Sequence, residues 1–136
     1  APSDANIDGE KVIFSGSNDN SFYAINSDGS LRFTVLTGNK VQSSPSFLEN
    51  AGETYIFFGS NDDMIYAVDS DGNALLGWPI AVNGSIGGSV VFSDLDGDSD
   101  PEVVAATDMG DVLAFHLNGS PCTYFPIPVL LILDIY

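Results

Sequence analysis

The sequence predicts an all-β chain built from repeated units of four short antiparallel strands, and three observations carry that prediction. The chain matches itself: IFSGSNDNSFYAINSDGS from Ile13, IFFGSNDDMIYAVDSDGN from Ile56 and VVAATDMGDVLAFHLNGS from Val103 fall into register at offsets of 43 and 47 residues. Within each copy apolar residues recur at the two-residue period of a strand, and helical periodicity is absent. Asp28-Gly29, Asp71-Gly72 and Asn118-Gly119 hold the same place in each copy. Asx-Gly between alternating segments is a strong hairpin signal, because both residues tolerate positive φ.

The elements of one unit follow in order. Strand A ends near Leu48 or Phe92. Strand B is the apolar run Ile56–Phe58, and a polar turn of the kind Gly16-Ser17-Asn18-Asp19-Asn20 separates it from strand C, Ile65–Val68. After the Asx-Gly turn comes strand D, around Trp78–Val82. The segments between copies agree with this: SSPSFLENAGET (Ser43 to Thr54) aligns with IGGSVVFSDLDGDSDP (Ile86 to Pro101), the second being four residues longer. That surplus is the difference between the two offsets, and it sits in the A–B turn. Four strands per ~45 residues is the period of a β-propeller blade.

At its start the chain enters at an Asp-containing stretch, so the first unit reads as strands B, C and D. At its end LLILDI (Leu130 to Ile135) aligns with VVFSDL (Val90 to Leu95) at offset 40 and reads as a further strand A. The expected organisation is a single partial or self-assembling propeller of three blades, permuted as B-C-D-A, with units at approximately 4–48, 49–92 and 93–136. Two accounts fit: a piece of a longer propeller, or a homodimer in which each copy lends its C-terminal strand to the other, pairing every edge. On a third account residues 122–136, which lose the Gly/Asp/Asn punctuation, leave the repeat.

Composition narrows the function classes. Nineteen acids against three bases give a formal net charge of −16, which excludes nucleic acid as a partner because phosphate contacts need many Lys and Arg. With 44% apolar residues, nine Phe and five Tyr, the chain is globular rather than a disordered acidic tail. A lone cysteine, Cys122, rules out an internal disulfide or a multi-Cys zinc site and reads as a small buried residue. The longest apolar run, Val129 to Leu133, is far short of the ~20 residues of a membrane span, so no membrane insertion is expected. The opening residues do not read as a secretory leader.

The stretch GGSVVFSDLDGDSDPEVVAATDMGDVLAF, with Gly77-Trp78-Pro79 and its echo Phe125-Pro126, resembles the bacterial FG-GAP/VCBS-type (integrin-alpha-like) calcium-binding propeller repeats. Phe-Gly-Gly-Ala-Pro is absent; Ser44-Pro45-Ser46 and Gly87-Gly88-Ser89 stand in that region. Gly-Ser-Asn-Asp and Tyr-Ala-Val-Asp give a second resemblance, to quinoprotein-dehydrogenase-like blades.

DLDGDSDPE, residues 94–102, places an acid at every second position, five times running. Such a loop repels itself at close range unless a cation sits in it. Ca2+ takes six to eight oxygens, and alternate residues of a tight loop converge on one point. Counting from Asp94, the candidate ligands are Asp94, Asp96 and Asp98, with Asp100 through its backbone carbonyl and Glu102 at the ninth position, where the family the chain resembles has Asp. An EF-hand is excluded, since its sixth and twelfth positions would be Ser99 and Ala105. The same spacing, 90 residues earlier, falls on Asp4, Asn6 and Asp8, a second candidate site lacking one carboxylate because Val12 holds the ninth position.

Other residues read as structural. His116 has no second His or Cys to share a metal, and Asp62, Asp63 and Asp108 sit in B–C turns where Asx residues cap their own backbone. Trp78 with Pro79 reads as packing between blades. The Asn83-Gly-Ser and Asn118-Gly-Ser sequons are chance in so Asn-, Gly- and Ser-rich a chain, and no nucleophile elbow is present. The resulting expectation is a non-enzymatic, calcium-braced binding or adhesion module, secreted or on the cell surface, with a protein or glycan ligand. The alternative is a fragment of a secreted enzyme or quinoprotein-like dehydrogenase in which these blades are scaffold.

Overall fold

The computed structural model describes residues 1–123 and 127–128. Its strands form three antiparallel sheets of four, each in simple sequence order. Sheet 1 holds β1 (Ser3–Ile7), β2 (Glu10–Gly16), β3 (Ser21–Asn26) and β4 (Leu31–Leu36). Sheet 2 holds β5 (Ser46–Asn50), β6 (Glu53–Ser60), β7 (Met64–Val68) and β8 (Ile80–Ala81), and sheet 3 holds β9 (Val91–Ser93), β10 (Glu102–Ala106), β11 (Asp111–Phe115) and β12 (Ile127–Pro128). No helix among the described residues is long and apolar enough to cross a membrane.

Strand alternation decides how the sheets stack. In β6, Ile56 and Phe58 point to one side and Phe57 to the other, and all three are fully buried. Ile56 and Phe58 join Val12, Phe14, Phe22 and Ala24 of sheet 1 in one apolar layer. Phe57 joins Ile65, Ala67, Val103, Ala105, Leu113 and Phe115 in a second layer against sheet 3. The Phe22 and Phe58 rings stack across the first layer at 3.9 Å between centroids. Trp78 lies in the second layer, edge-on to Phe57 and Phe115, and its indole N–H donates to the Leu117 carbonyl at 2.9 Å. The placement expected for Trp78 is the one observed.

Sheet 2 is therefore covered on both faces, which is why Ile56-Phe57-Phe58 reads as an unbroken apolar run. Sheet 1 differs between its faces among the described residues: Val12 and Phe14 are buried, while Ile13 between them is 45% exposed. The linkers lock into this stack, with Val41 seated on Gly16 and Ile86 on Gly59.

One expectation is corrected. The units are not permuted: Ser3–Ile7 is a strand A, paired with β2 from Ser3↔Phe14 to Ile7↔Glu10, so sheet 1 carries all four of its own strands. Asp4 and Asn6 recur at period two, which an acidic loop and a half-exposed strand share; Ala5 and Ile7, turned inward between them, decide for the strand. Strand D of the third unit is β12, which pairs Ile127 with Val112 and Pro128 with Asp111. The strand A read at Leu130–Ile135, and with it the exchanged C-terminal strand, lies outside the described residues, as does the Phe125-Pro126 echo.

Turn chemistry separates the blades from one another. Asp8-Gly9 and Ala51-Gly52 have positive φ at both residues, closing β1–β2 and β5–β6 as two-residue hairpins. In sheet 3 the ladder stops at Ser93↔Glu102 and residues 94–101 form a loop. The position of that pair is Leu48↔Tyr55 in sheet 2, where two further pairs, Glu49↔Thr54 and Asn50↔Glu53, still follow. Sheet 3 gives up those pairs for its loop.

Candidate metal centre

Loop 94–101 is folded by its own acids. The Asp94 carboxylate accepts the Gly97 amide at 2.8 Å through Oδ1 and the Ser99 amide at 2.9 Å through Oδ2. Asp96 Oδ1 accepts the Asp98 amide at 3.1 Å, and Asp98 Oδ1 the Asp100 amide at 2.9 Å. Gly97 and Ser99, at φ 81° and 75°, turn the chain back on itself between these bonds. The result is a coil in which alternate carboxylates point inward, each keeping an oxygen or a lone pair free of the backbone.

At the base of the coil lies Glu102, the first residue of β10 and only 1% exposed. Its Oε2 accepts the Leu95 amide, so the loop folds down over it. Carboxylate oxygens of Asp94, Asp96, Asp98 and Glu102 all lie within 4.8 Å of one another. These four of the five residues singled out from the sequence come together. Asp100, expected to offer its backbone carbonyl, is not among the converging carboxylates, and its amide donates to Asp98. Glu102, whose extra length made it the odd member of the motif, is the most deeply placed.

The electrostatics are those of a site short of positive charge. Asp94 is partly desolvated, which favours its protonated form, yet the Ser99 and Gly97 amides outweigh this and hold its carboxyl below the ordinary range. Asp96 accepts the Asp98 amide, which favours its charge, but desolvation and the carboxylates of Asp98 and Glu102 outweigh that and raise it. Burial pushes the Cys122 thiol up, and the negative field of Glu102 and Asp96 adds to it. A dication among these oxygens would remove the repulsion.

His116, expected from the sequence to be structural, also reaches this cluster. It follows β11, beyond the Val103↔Phe115 pair, and brings Nδ1 to 3.5 Å from Glu102 Oε1. Asp96, Glu102 and His116 form a second group whose donor atoms lie within 4.8 Å of one another. A signal existed: across the β2–β3 ladder the repeat positions of Glu102 and His116 are the directly paired Val12 and Asn26.

The second candidate site is not assembled. Asp4 and Asn6 lie on an extended strand, where alternate side chains stand ~7 Å apart, and Asp8 is in the hairpin turn. Asp4 pairs instead with Lys11 Nζ at 2.9 Å. By strand register it is Asn6, not Asp4, that matches Asp94, because Ala5↔Val12 is the counterpart of Ser93↔Glu102.

No family model matches the chain, and no curated protein does. Solved structures do. BamB from Moraxella catarrhalis superposes with a TM-score of 0.66 at 16% identity, over 94% of this chain and 35% of that one. BBS1N in complex with ARL6DN superposes at 0.65 and 11% identity in a crystal soaked with mercury, over 95% of this chain and 39% of that one. The lead-soaked crystal of the same complex gives 0.62 at 13%. Both neighbours are β-propellers, so the three sheets are propeller blades. The chain spans little more than a third of the length of the propellers it matches.

Proposed function

We propose that this chain is a calcium-braced, non-enzymatic binding segment of a propeller of the FG-GAP/VCBS type, working outside the cell or on its surface. The observation that carries the reading is the convergence of Asp94, Asp96, Asp98 and Glu102 within 4.8 Å around a loop that has given up ladder pairs. Oxygen donors alone, several of them charged, suit Ca2+ better than Mg2+, which prefers to keep its waters. Ca2+ held there would fix a turn that the backbone leaves open and offset the mutual repulsion of the acids. Loop sites of the ~0.1–1 mM class fill only where calcium is abundant, which supports an extracellular setting.

On this reading the metal is a brace, and recognition belongs to the loops at the ends of the blades, with a protein or glycan as ligand. A protein ligand has some support in BBS1N, a propeller seen in complex with ARL6DN. A second copy of the chain is proposed as a further partner, and light scattering in millimolar calcium measures it: a dimer is expected, a monomer overturns it.

The calcium reading is tested by isothermal titration of the chelator-treated chain with calcium chloride, alongside Asp94→Asn and Asp98→Asn. One site of millimolar or better affinity, weakened at least about tenfold in each variant, supports it. No heat of binding, or binding indifferent to both substitutions, overturns it.

A further inference from the structure

His116 Nδ1 stands within ion-pair distance of the buried carboxylate of Glu102. At 3.5 Å, Nδ1 and Oε1 are beyond the ~2.7–3.2 Å of an N–H···O bond. Glu102 is 99% buried; its Oε2 accepts the Leu95 amide and its Oε1 faces the imidazole. Glu102 lines a cavity of about 320 Å3 together with Asp98, Pro101, His116 and Leu117 among others. A shared cation fits the spacing: two donor atoms each ~2.1 Å from a tetrahedral zinc ion lie about 3.4 Å apart.

We propose that Asp96, Glu102 and His116 form a mixed nitrogen–oxygen position for a first-row transition dication of the zinc class. It overlaps the all-oxygen position of Asp94, Asp96, Asp98 and Glu102, sharing two side chains with it. Imidazole is the donor that separates the two, since it suits zinc and its neighbours in the series while calcium selects oxygen. Three protein donors leave a fourth tetrahedral position open to water or to a ligand's donor atom. Because Asp96 and Glu102 cannot serve both ions at once, the two metals compete. The proposal uses the same loop as the calcium reading but does not depend on calcium binding.

The test is titration of the chain with zinc chloride and, separately, with calcium chloride, in a Cys122→Ser background that removes the one thiol able to bind zinc. His116→Asn, which installs the residue that the first blade carries there (Asn26), is compared with Asp98→Asn. His116→Asn is expected to weaken zinc at least about tenfold and to leave calcium within about twofold, while Asp98→Asn does the reverse. Zinc that fails to bind, or binds equally well to the His116→Asn chain, overturns the proposal. Zinc bound through His116 in a chain that binds no calcium supports it and sinks only the calcium reading. Circular dichroism of each variant confirms the sheet content, and His116→Gln serves if His116→Asn unfolds.

Discussion

The phenol of Tyr66 donates to the Asp62 carboxylate, and the same oxygen, Oδ2, takes the amide of Gly38 at 2.9 Å, so one residue ties a blade's turn both to its own strand and to the linker that precedes it. Asp62 Oδ1 meanwhile caps the Met64 amide at 3.1 Å. Burial, and then the neighbouring Asp62, push the Tyr66 hydroxyl well above its ordinary 10.0. The folded state thus favours the protonated phenol. Its contribution is fully present below pH ~10 and is lost as the pH rises past that value. Tyr66→Phe is expected to cost ~1 kcal/mol at neutral pH and to flatten the alkaline fall of stability. Urea melts at pH 7 and pH 10.5 measure both; equal alkaline loss in the two chains would show that Tyr66 is not its source.

Chelation should destabilise the chain if calcium braces loop 94–101. At ~100-fold excess over its dissociation constant, calcium adds about 2.7 kcal/mol, worth on the order of 10 °C in Tm for a chain of this size. Scanning calorimetry with and without EGTA checks it, and Asp94→Asn should remove most of the difference. An unchanged Tm in fully chelated protein refutes the brace.

Removing a ring from the first apolar layer should unfold much of the molecule. Phe58 is fully buried, stacked on Phe22 at 3.9 Å and on Tyr66 at 5.1 Å. Phe58→Ala is expected to lose ~3–5 kcal/mol, read from the shift of the denaturant midpoint. A loss below ~1.5 kcal/mol would mean that the layer collapses to fill the space.

Glycine is required where a linker crosses a strand. A Cβ on Gly59 would run into Cβ and Cγ2 of Ile86, whereas one on Gly87 or Gly88 meets nothing within 4 Å. Gly59→Ala should destabilise by about 1–3 kcal/mol and Gly88→Ala should be near neutral. Thermal melts of the two variants compare them directly; equal effects would remove the steric explanation.

The repeat, the strand order within a blade and the expanded A–B turn were legible because period-two burial and Asx-Gly spacing are local. Their detail was less so. In the turns at Asp28, Asp71 and Asn118 only the glycine takes positive φ; Asp28 and Asn118 cap the residue beyond it, the Ser30 amide at 2.9 Å and the Ser120 amide at 3.0 Å, while Asn73 is capped by Asp69. The four-residue surplus placed in the A–B turn is shared between loop and linker: Val41 and Ile86 fill the same role 45 residues apart. The carboxylates of Asp94, Asp96, Asp98 and Glu102 converge as spacing suggested. His116 was hidden because its partner lies across a ladder, 14 residues earlier, and only the register of β10 on β11 brings them together. Asp4 misled because an acidic strand edge and an acidic loop share one period.

Among the described residues sheet 2 is packed on both faces, against sheet 1 on one and sheet 3 on the other, and this sets the order in which the molecule can come apart. A fluctuation that peels sheet 1 away breaks only the layer around Phe22 and Phe58, and one that releases sheet 3 breaks only the layer around Phe57 and Trp78. Neither exposes the β6–β7 ladder fully; both must occur at once, at a cost near that of global unfolding. Amides such as those of Phe58 and Tyr66 should therefore exchange with deuterium last, with the flanking sheets opening as separate, less costly units. The middle blade is the kinetic keystone of the array, and its protection is a property of its neighbours as much as of its own strands.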